Sequence, residues 1–208
     1  EDGGIARPTD FIPSAERYNL MPQIDRWVIE NAMRSFRTLQ DRRNPLADSI
    51  FSINLSGPSL LDETLVDKIL ATLAQYSLSA TSFCFEITET AAIQNLAYAT
   101  RFMKRLKEEG FTFALDDFGS GFSSFGYLKN LPVDYLKIDG SFVQNIDESL
   151  VSCTMVESIN SVGHVMGLKT IGEFVKSDKI WKKLVELGVD YGQGYIFAEP
   201  RPLLSDPV

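Results

Sequence analysis

Short apolar segments alternate with amphipathic helical segments along most of the chain, and this alternation restricts the fold more than any other feature. Strands that alternate with helices form parallel sheets with crossover helices, and strands with little polar alternation are buried on both faces. The pattern predicts an α/β fold, either a (β/α) barrel or an open doubly wound sheet. The predicted strands are Phe51–Leu55, Phe83–Ile87, Phe111–Leu115, Val133–Ile138, Lys169–Ile171 and Asp190–Tyr195.

Local signals fix the N-terminal part of this pattern. The segment Glu1–Pro8 contains two adjacent glycines and a proline and is predicted to be a loop. A helix is predicted to begin at about Pro22, because proline fits the first turn of a helix and apolar residues follow at helical spacing. Asp62 is predicted to cap the next helix, which runs to Leu73.

Composition limits the classes of function. The chain has 208 residues, of which 44% are hydrophobic, and its formal net charge is −8. These values predict a single domain over residues 1–208, and the negative charge disfavours binding to a nucleic-acid polymer. No apolar run reaches the ~20 residues of a membrane helix, and no secretory signal pattern is found. Cys84 and Cys153 have no metal-ligand spacing, and a cytoplasmic location is expected.

Nearly every predicted strand ends on one acid, amide or cation. Between 20 and 36 residues separate successive members of this set, and several intervals match the roughly 30 residues of one βαβ unit. Each member therefore belongs to a different unit and lies at the same end of its strand, which in a barrel is the catalytic face. The set comprises Asn54, Glu86, Asp116 with Asp117, Lys137, Glu173 and Gln193.

The composition of this set predicts a metal site. Carboxylates that converge repel one another and persist when a cation neutralises them. All the candidate ligands are oxygen donors, so Mg²⁺ or Mn²⁺ is expected rather than zinc. Two such ions suit in-line displacement at phosphorus.

Asp116 and Asp117 can face one site only if the strand ends or turns between them, because neighbouring strand residues point to opposite faces. The glycine-containing segment that follows, 118–122, is predicted to provide this turn. Asp116 is then placed to bridge two ions and Asp117 to bind one of them. Lys137 either orients the attacking water or forms a salt bridge to one of the aspartates.

Seven segments of the chain resemble the EAL domains, bacterial domains that hydrolyse cyclic di-GMP. The resemblance covers essentially all 208 residues in the order and spacing of that family. It implies a modified TIM-type (β/α)₈ barrel and opening of the cyclic dinucleotide to linear pGpG. The matching segments are Asp10–Glu16, Ile53–Ser56, Glu86–Glu89, Asp116–Ser124, Leu136–Phe142, Thr170–Glu173 and Gln193–Tyr195.

The resemblance also implies roles for individual residues. Lys137, Asp117 and Glu173 are implied to be catalytic, and Gln193 to lie on the substrate side. Glu89 and the loop that contains Phe118, Gly119 and Gly121 are implied to couple dimerisation to the active site. A homodimer and an upstream regulatory domain, for example of the GGDEF or PAS type, are further implied partners. The implied metal ligands are Asn54, Glu86, Asp116, Asp117 and Glu173.

The chain departs from the family pattern at two places. The Glu-Ala-Leu signature, whose glutamate binds metal in the family, is absent, so we expect a barrel that is truncated at the N-terminus and lacks its first strand or strands. The family sequence Ala-Glu-Gly-Val-Glu is replaced here by Gly172-Glu-Phe-Val-Lys176. Phe174 is expected to be tolerated, whereas Lys176 places a base where the family has an acid.

Two functions follow from this resemblance. One is a metal-dependent cyclic di-GMP phosphodiesterase, and the other is a catalytically inactive domain that binds the nucleotide as a receptor. A receptor tends to lose metal ligands because nothing requires the ions, and every ligand position that falls inside this chain is intact. The enzyme is therefore the favoured interpretation.

Overall fold

A computed structural model describes residues 8–120 and 126–204, which form a parallel sheet with helices against it. Among the helices of these ranges, none combines the length and the hydrophobicity that crossing a bilayer requires. The strands are β1 (Phe51–Asn54), β2 (Phe83–Thr88), β3 (Thr112–Phe118), β4 (Tyr135–Ile138), β5 (Lys169–Gly172) and β6 (Tyr191–Gly192). The helices are α1 (Pro8–Arg17), α2 (Met21–Asp41), α3 (Leu65–Gln75), α4 (Glu89–Gln94), α5 (Leu96–Glu108), α6 (Gly140–Val143), α7 (Leu150–Val165) and α8 (Asp178–Glu186).

The order of the strands decides between the two architectures that the sequence left open. Each strand pairs in parallel with its neighbour in sequence, in the order β1-β2-β3-β4-β5-β6. A doubly wound sheet reverses its strand order at a switch point, and no reversal occurs in this sheet. The sheet curls in one direction and forms the wall of a TIM-like barrel, which confirms the predicted fold class.

The outer face of the sheet builds the hydrophobic core. Phe83, Phe85 and Ile87 alternate along β2 and are fully buried. The Phe83 ring packs edge-on against Phe36 of α2, with 5.2 Å between ring centroids, and the Phe85 ring lies 5.9 Å from Phe113 of β3. Because side chains alternate along a strand, these outward residues leave the positions between them to the inner face.

The inner face carries two successive layers of side chains, and each strand contributes one side chain to each layer. The lower layer surrounds a cavity of about 260 Å³ and contains Ser52, Cys84, Ala114, Tyr135, Ile171 and Tyr191. The residues two positions further along each strand point the same way. These upper residues are Asn54, Glu86, Asp116, Lys137, Glu173 and Gln193. The polar set predicted from the sequence is therefore one layer at the carboxyl ends of the strands.

The last strand was predicted over Asp190–Tyr195 but is shorter, at Tyr191–Gly192. Two predictions near the N-terminus also differ from the structure. Pro8 is the first residue of α1 rather than the end of a loop, while residues 1–7 lie outside the described ranges. Asp62 does not cap α3, whose N-cap residue is Thr64. The Asp62 carboxylate instead accepts a hydrogen bond from the Thr64 backbone N–H at 3.0 Å and pairs with Arg26. A partner on α2 thus determines the position of this acid.

Asp190 lies just before β6, at the amino-terminal end of the strands, and its side chain bonds to Lys169 and Thr170 at the start of β5. Burial raises the pKa of this carboxyl, but hydrogen bonds from Lys169 at 2.6 Å, the Thr170 backbone N–H at 2.9 Å and His164 at 2.7 Å outweigh burial and hold the pKa well below its usual range. A carboxyl with a lowered pKa stabilises the fold above the unfolded-state pKa of about 3.9, and this contribution is lost as pH falls through the lowered value.

Asp190→Asn is therefore expected to lower the free energy of unfolding at pH 7 and to reduce its dependence on pH below about 4. Urea unfolding between pH 2 and pH 7 measures both effects. The exposed Asp178→Asn is the control, and an equal loss of stability in both variants would contradict the assigned role of Asp190.

Candidate metal centre

Three carboxylates converge at the carboxyl ends of β3 and β5. Asp116, Asp117 and Glu173 each offer one oxygen, and these oxygens all lie within 4.8 Å of one another. Asp116 and Glu173 are buried, and Asp117 is half-buried. Carboxylates so close together in a shielded position repel one another, so the cluster favours a cation.

Lys137 places an ammonium among the carboxylates. Its Nζ lies 2.6 Å from Glu86 Oε2, 2.9 Å from Asp116 Oδ1 and 2.9 Å from Glu173 Oε1. Burial lowers the pKa of Lys137, but Glu86, Asp116 and Glu173 raise it well above its ordinary value. The salt bridge considered for Lys137 is therefore present, and it involves two glutamates as well as an aspartate.

One ammonium does not neutralise the whole cluster. Burial is the largest effect on Glu173, and together with the charges of Asp116 and Asp117 it raises the pKa of Glu173 to about 7, despite the ion pair with Lys137. Lys137 lowers the pKa of Glu173 but does not offset burial, and it also pairs with Glu86 and Asp116. The described cluster retains excess negative charge, which is the condition under which a divalent cation binds.

Asp117 reaches the cluster because β3 is irregular at this residue. Its backbone has φ of 54°, and the pairing register between β3 and β4 shifts between Leu115 and Phe118. This bulge turns the Asp117 side chain toward the same side as Asp116. The predicted turn between the aspartates is thus present, but it lies within β3 and not in the glycine-containing segment. Burial, Asp116 and Asp139 raise the pKa of Asp117.

Asn54 and Gln193 stand on opposite sides of this cluster. Asn54 ends β1, is paired in register with Glu86 on β2 and borders a cavity of about 340 Å³ with it. Gln193 follows β6, where its backbone N–H donates to Gly172 at 2.8 Å and its carbonyl accepts from Val175 at 3.0 Å. Its side chain borders a second cavity together with Glu173.

The predicted coupling residues lie beside the metal cluster. Glu89 is buried at the start of α4, and its carboxylate accepts hydrogen bonds from the Gly119 backbone N–H at 3.1 Å and from the Tyr127 hydroxyl. Phe118 is buried at the end of β3. Glu89 therefore holds the chain on both sides of segment 121–125, which lies outside the described ranges and contains Gly121.

Asp25 contributes to this region and was not predicted from the sequence. One oxygen, Oδ2, accepts hydrogen bonds from the Ser56 backbone N–H at 2.9 Å, the Ser56 hydroxyl at 2.6 Å and the Ser59 hydroxyl at 2.6 Å. These bonds fix the turn that follows Asn54. A signal was available, because Asp25 lies four residues before Ile29 on the buried stripe of α2, where an acid requires partners.

Asp25→Ala is expected to lower the free energy of unfolding by about 2–4 kcal/mol, since it leaves several donors without their acceptor. It is also expected to weaken divalent-metal binding, because Asn54 loses its fixed position. Urea unfolding and calorimetric titration with Mn²⁺ measure the two effects. The exposed Glu30→Ala on the same helix is the control. Unchanged metal affinity in Asp25→Ala would contradict a link to Asn54.

The donors of the cluster fit a hard divalent cation. The candidate ligands of Asn54, Glu86, Asp116, Asp117 and Glu173 are amide or carboxylate oxygens, and no cysteine or histidine belongs to the described cluster. Oxygen donors suit Mg²⁺ and Mn²⁺ better than zinc.

Comparison with known proteins agrees with this geometry. The family model for the EAL domain matches residues 1–200. The chain belongs to the EAL domain family. The cyclic di-GMP phosphodiesterase PdeB of Shewanella oneidensis is 45% identical to this EAL domain over 203 residues, which are 98% of the chain and 23% of PdeB. The cyclic di-GMP phosphodiesterase PdeA of Borreliella burgdorferi is 37% identical over 188 residues, which are 90% of the chain and 28% of that protein. The chain thus spans about a quarter of the length of these curated relatives.

Solved structures of EAL domains have the same fold. A complex of the PaMucR phosphodiesterase with c-di-GMP matches with a TM-score of 0.89 and 31% identity, covering 97% of this EAL domain and 81% of that chain. The FimX EAL domain of Xanthomonas citri in complex with c-di-GMP matches with a TM-score of 0.90 and 26% identity, covering 100% and 81%.

Proposed function

We propose that this EAL domain is a metal-dependent phosphodiesterase that hydrolyses cyclic di-GMP to linear pGpG. The observation that carries the proposal is the convergence of Glu86, Asp116, Asp117 and Glu173 around Lys137 at one end of the barrel. The 45% identity to PdeB, a cyclic di-GMP phosphodiesterase, supports the choice of substrate.

Asn54, Glu86, Asp116, Asp117 and Glu173 would hold the metal. When bound, Mg²⁺ or Mn²⁺ supplies Lewis acidity, which lowers the pKa of water and offsets phosphate charge. Lys137 forms its ion pairs with Glu86, Asp116 and Glu173. Asp117 could therefore bind a metal ion without giving up an ion pair to Lys137.

Lys137, Asp117 and Glu173 would act directly on the reacting groups. Lys137 is held by its ion pairs at a position from which its ammonium can orient the attacking water or meet a phosphate oxygen. The oxygen of water forms a bond to phosphorus, and the bond between phosphorus and the 3′ oxygen of the ribose breaks. The attacking water loses a proton, and the 3′ oxygen gains one. Gln193 would donate to the substrate from the side of β6.

The alternative is a receptor that binds cyclic di-GMP without cleaving it. The FimX complex indicates that EAL domains of this fold bind the nucleotide. The candidate ligand positions that fall inside this chain all carry oxygen donors, which favours the enzyme, because binding alone does not require several converging carboxylates. The homodimer, the coupling role of Glu89 with Phe118, Gly119 and Gly121, the upstream domain and the cytoplasmic location stay predictions.

Metal dependence is tested on the full-length protein after dialysis against EDTA. Chromatography is expected to detect no pGpG until Mg²⁺ or Mn²⁺ is returned, and then steady conversion of cyclic di-GMP. Product formation at the same rate in EDTA would contradict the proposal.

A further inference from the structure

A groove of about 320 Å³ lies among the helices outside the sheet, between the segment that leads into α3 and helix α5. Its volume lies in the range of about 300–1,000 Å³ that is typical of small-molecule sites. The side chains that line it come from residues 60–66 and 98–105, and the metal cluster contributes none of them. The groove is therefore separate from the candidate metal centre.

The floor of the groove is apolar. Leu60, Val66 and Phe102 line it, and each is almost fully buried. The Phe102 ring also packs edge-on against Phe113 of β3, with 6.3 Å between ring centroids, so the floor is anchored to the sheet. The exposed ring of Tyr98 stands at the same groove. A flat apolar body that lies here removes apolar surface from water.

Two arginines stand above this floor, one helical turn apart on α5. The Arg101 guanidinium lies over the Tyr98 ring, 5.0 Å from its centroid. In the part of the chain that the structure describes, Arg101 donates to Glu63 at 3.3 Å, and Arg105 donates to Asp67 at 2.8 Å. A guanidinium offers several N–H donors in a planar fork, so one such bond leaves others for a ligand.

The two acids hold these arginines weakly. The side chains of Glu63 and Asp67 are 79% and 73% exposed, and water screens ion pairs of this kind. Asp62 also lines the groove, but Arg26 and the Thr64 backbone N–H hold its carboxylate. A carboxylate that carries an apolar body can replace the exposed acids, because it adds burial against the floor to the bonds that it takes over.

We propose that this groove binds a small organic carboxylate with an aromatic body. The ring lies against Leu60, Val66 and Phe102, and the carboxylate accepts hydrogen bonds from Arg101 and Arg105. The class of anion follows from the arginines, whose fork matches a carboxylate and whose partners in the described chain are carboxylates.

The test uses phenylpropionate as the probe and measures its binding to the full-length protein by saturation-transfer NMR at low ionic strength. Phenylpropanol has the same ring and chain without the charge, and propionate has the carboxylate without the ring. Phenylpropionate is expected to bind about tenfold or more tightly than either compound, because it alone combines both contacts.

Variants assign the binding to the groove. Arg105→Gln is expected to weaken binding of phenylpropionate about tenfold. Lys104→Gln removes the same charge from a neighbouring exposed position on α5 and is expected to leave the affinity unchanged. Asp67→Asn is expected to strengthen binding several-fold, because Arg105 loses a competing carboxylate. A merely structural role of the pair between Arg105 and Asp67 would weaken binding in both variants.

Equal affinity for phenylpropionate and phenylpropanol would overturn the proposal, as would the absence of phenylpropionate binding at millimolar concentration. An affinity that Arg105→Gln leaves unchanged, or that Asp67→Asn does not raise, would also overturn it. Circular dichroism of each variant establishes that it is folded.

Discussion

Asp117→Asn is expected to reduce hydrolysis of cyclic di-GMP about a thousandfold or more without destabilising the metal-free protein. The loss follows because the variant removes a ligand charge from the cluster, and metal assistance at phosphorus provides several kcal/mol of transition-state stabilisation. The stability result follows from the raised pKa of Asp117, since burial and its neighbours Asp116 and Asp139 disfavour its charged form in the folded state. Removing this charge at pH 7 relieves repulsion.

The prediction combines two measurements that are expected to respond differently: turnover falls, whereas the free energy of unfolding of the metal-free protein does not. Turnover is measured by chromatography at saturating Mg²⁺, and the free energy of unfolding by urea titration in EDTA. Asp147→Asn removes the same formal charge at an exposed position and is expected to change neither quantity. A metal-free Asp117→Asn protein that unfolds more readily than wild type would show that Asp117 supports the fold, and its loss of activity would then say little about metal binding.

Lys137→Met is expected to produce the largest loss of stability, about 3–5 kcal/mol in metal-free protein at pH 7. The variant removes the ammonium that lies within 2.9 Å of three carboxylates and leaves buried negative charge without compensation. Two conditions are expected to restore stability. Lower pH protonates the carboxylates, and added Mg²⁺ or Mn²⁺ supplies the missing positive charge.

The matched control for this variant is Lys107→Met. Lys107 Nζ also pairs with an acid far away in sequence, Asp134, at 2.5 Å, but about a third of each side chain is exposed. Because water reaches this part-buried pair, it contributes less than a fully buried one, and the control is expected to lose about 1 kcal/mol. Equal destabilisation of both variants, or no response of Lys137→Met to divalent metal, would contradict the view that Lys137 acts as the counter-charge of the cluster.

Much of the fold and the site was predictable because both follow from short-range rules. Alternation of strands and helices predicted the α/β class, and the polar residues at strand ends predicted the layer that contains Asn54, Glu86, Lys137 and Gln193. The rule that residues two apart on a strand share a face accounts for this layer. The family resemblance, and later the uninterrupted strand order, decided for a barrel over an open sheet.

Other features depend on contacts that no local pattern encodes. The turn between the aspartates was expected in the glycine-containing segment, yet it is a bulge with a positive φ at Asp117, fixed by the pairing of β3 with β4. Asp62 was expected to cap α3, but its position reflects Arg26 on α2. The pairing of Lys176 with Gln144 joins residues on different units of the barrel. In each case a partner distant in sequence determines the outcome.

The measurement that tests the central claim most directly follows binding and cleavage in one sample. Full-length protein in excess over cyclic di-GMP is mixed with Mg²⁺, and bound nucleotide and free pGpG are measured after rapid quenching, for wild type and for Asp117→Asn. We expect wild type to convert all bound cyclic di-GMP to pGpG, while Asp117→Asn leaves it intact. Cyclic di-GMP that stays bound and uncleaved by the wild-type protein would contradict the enzyme and identify the domain as a receptor.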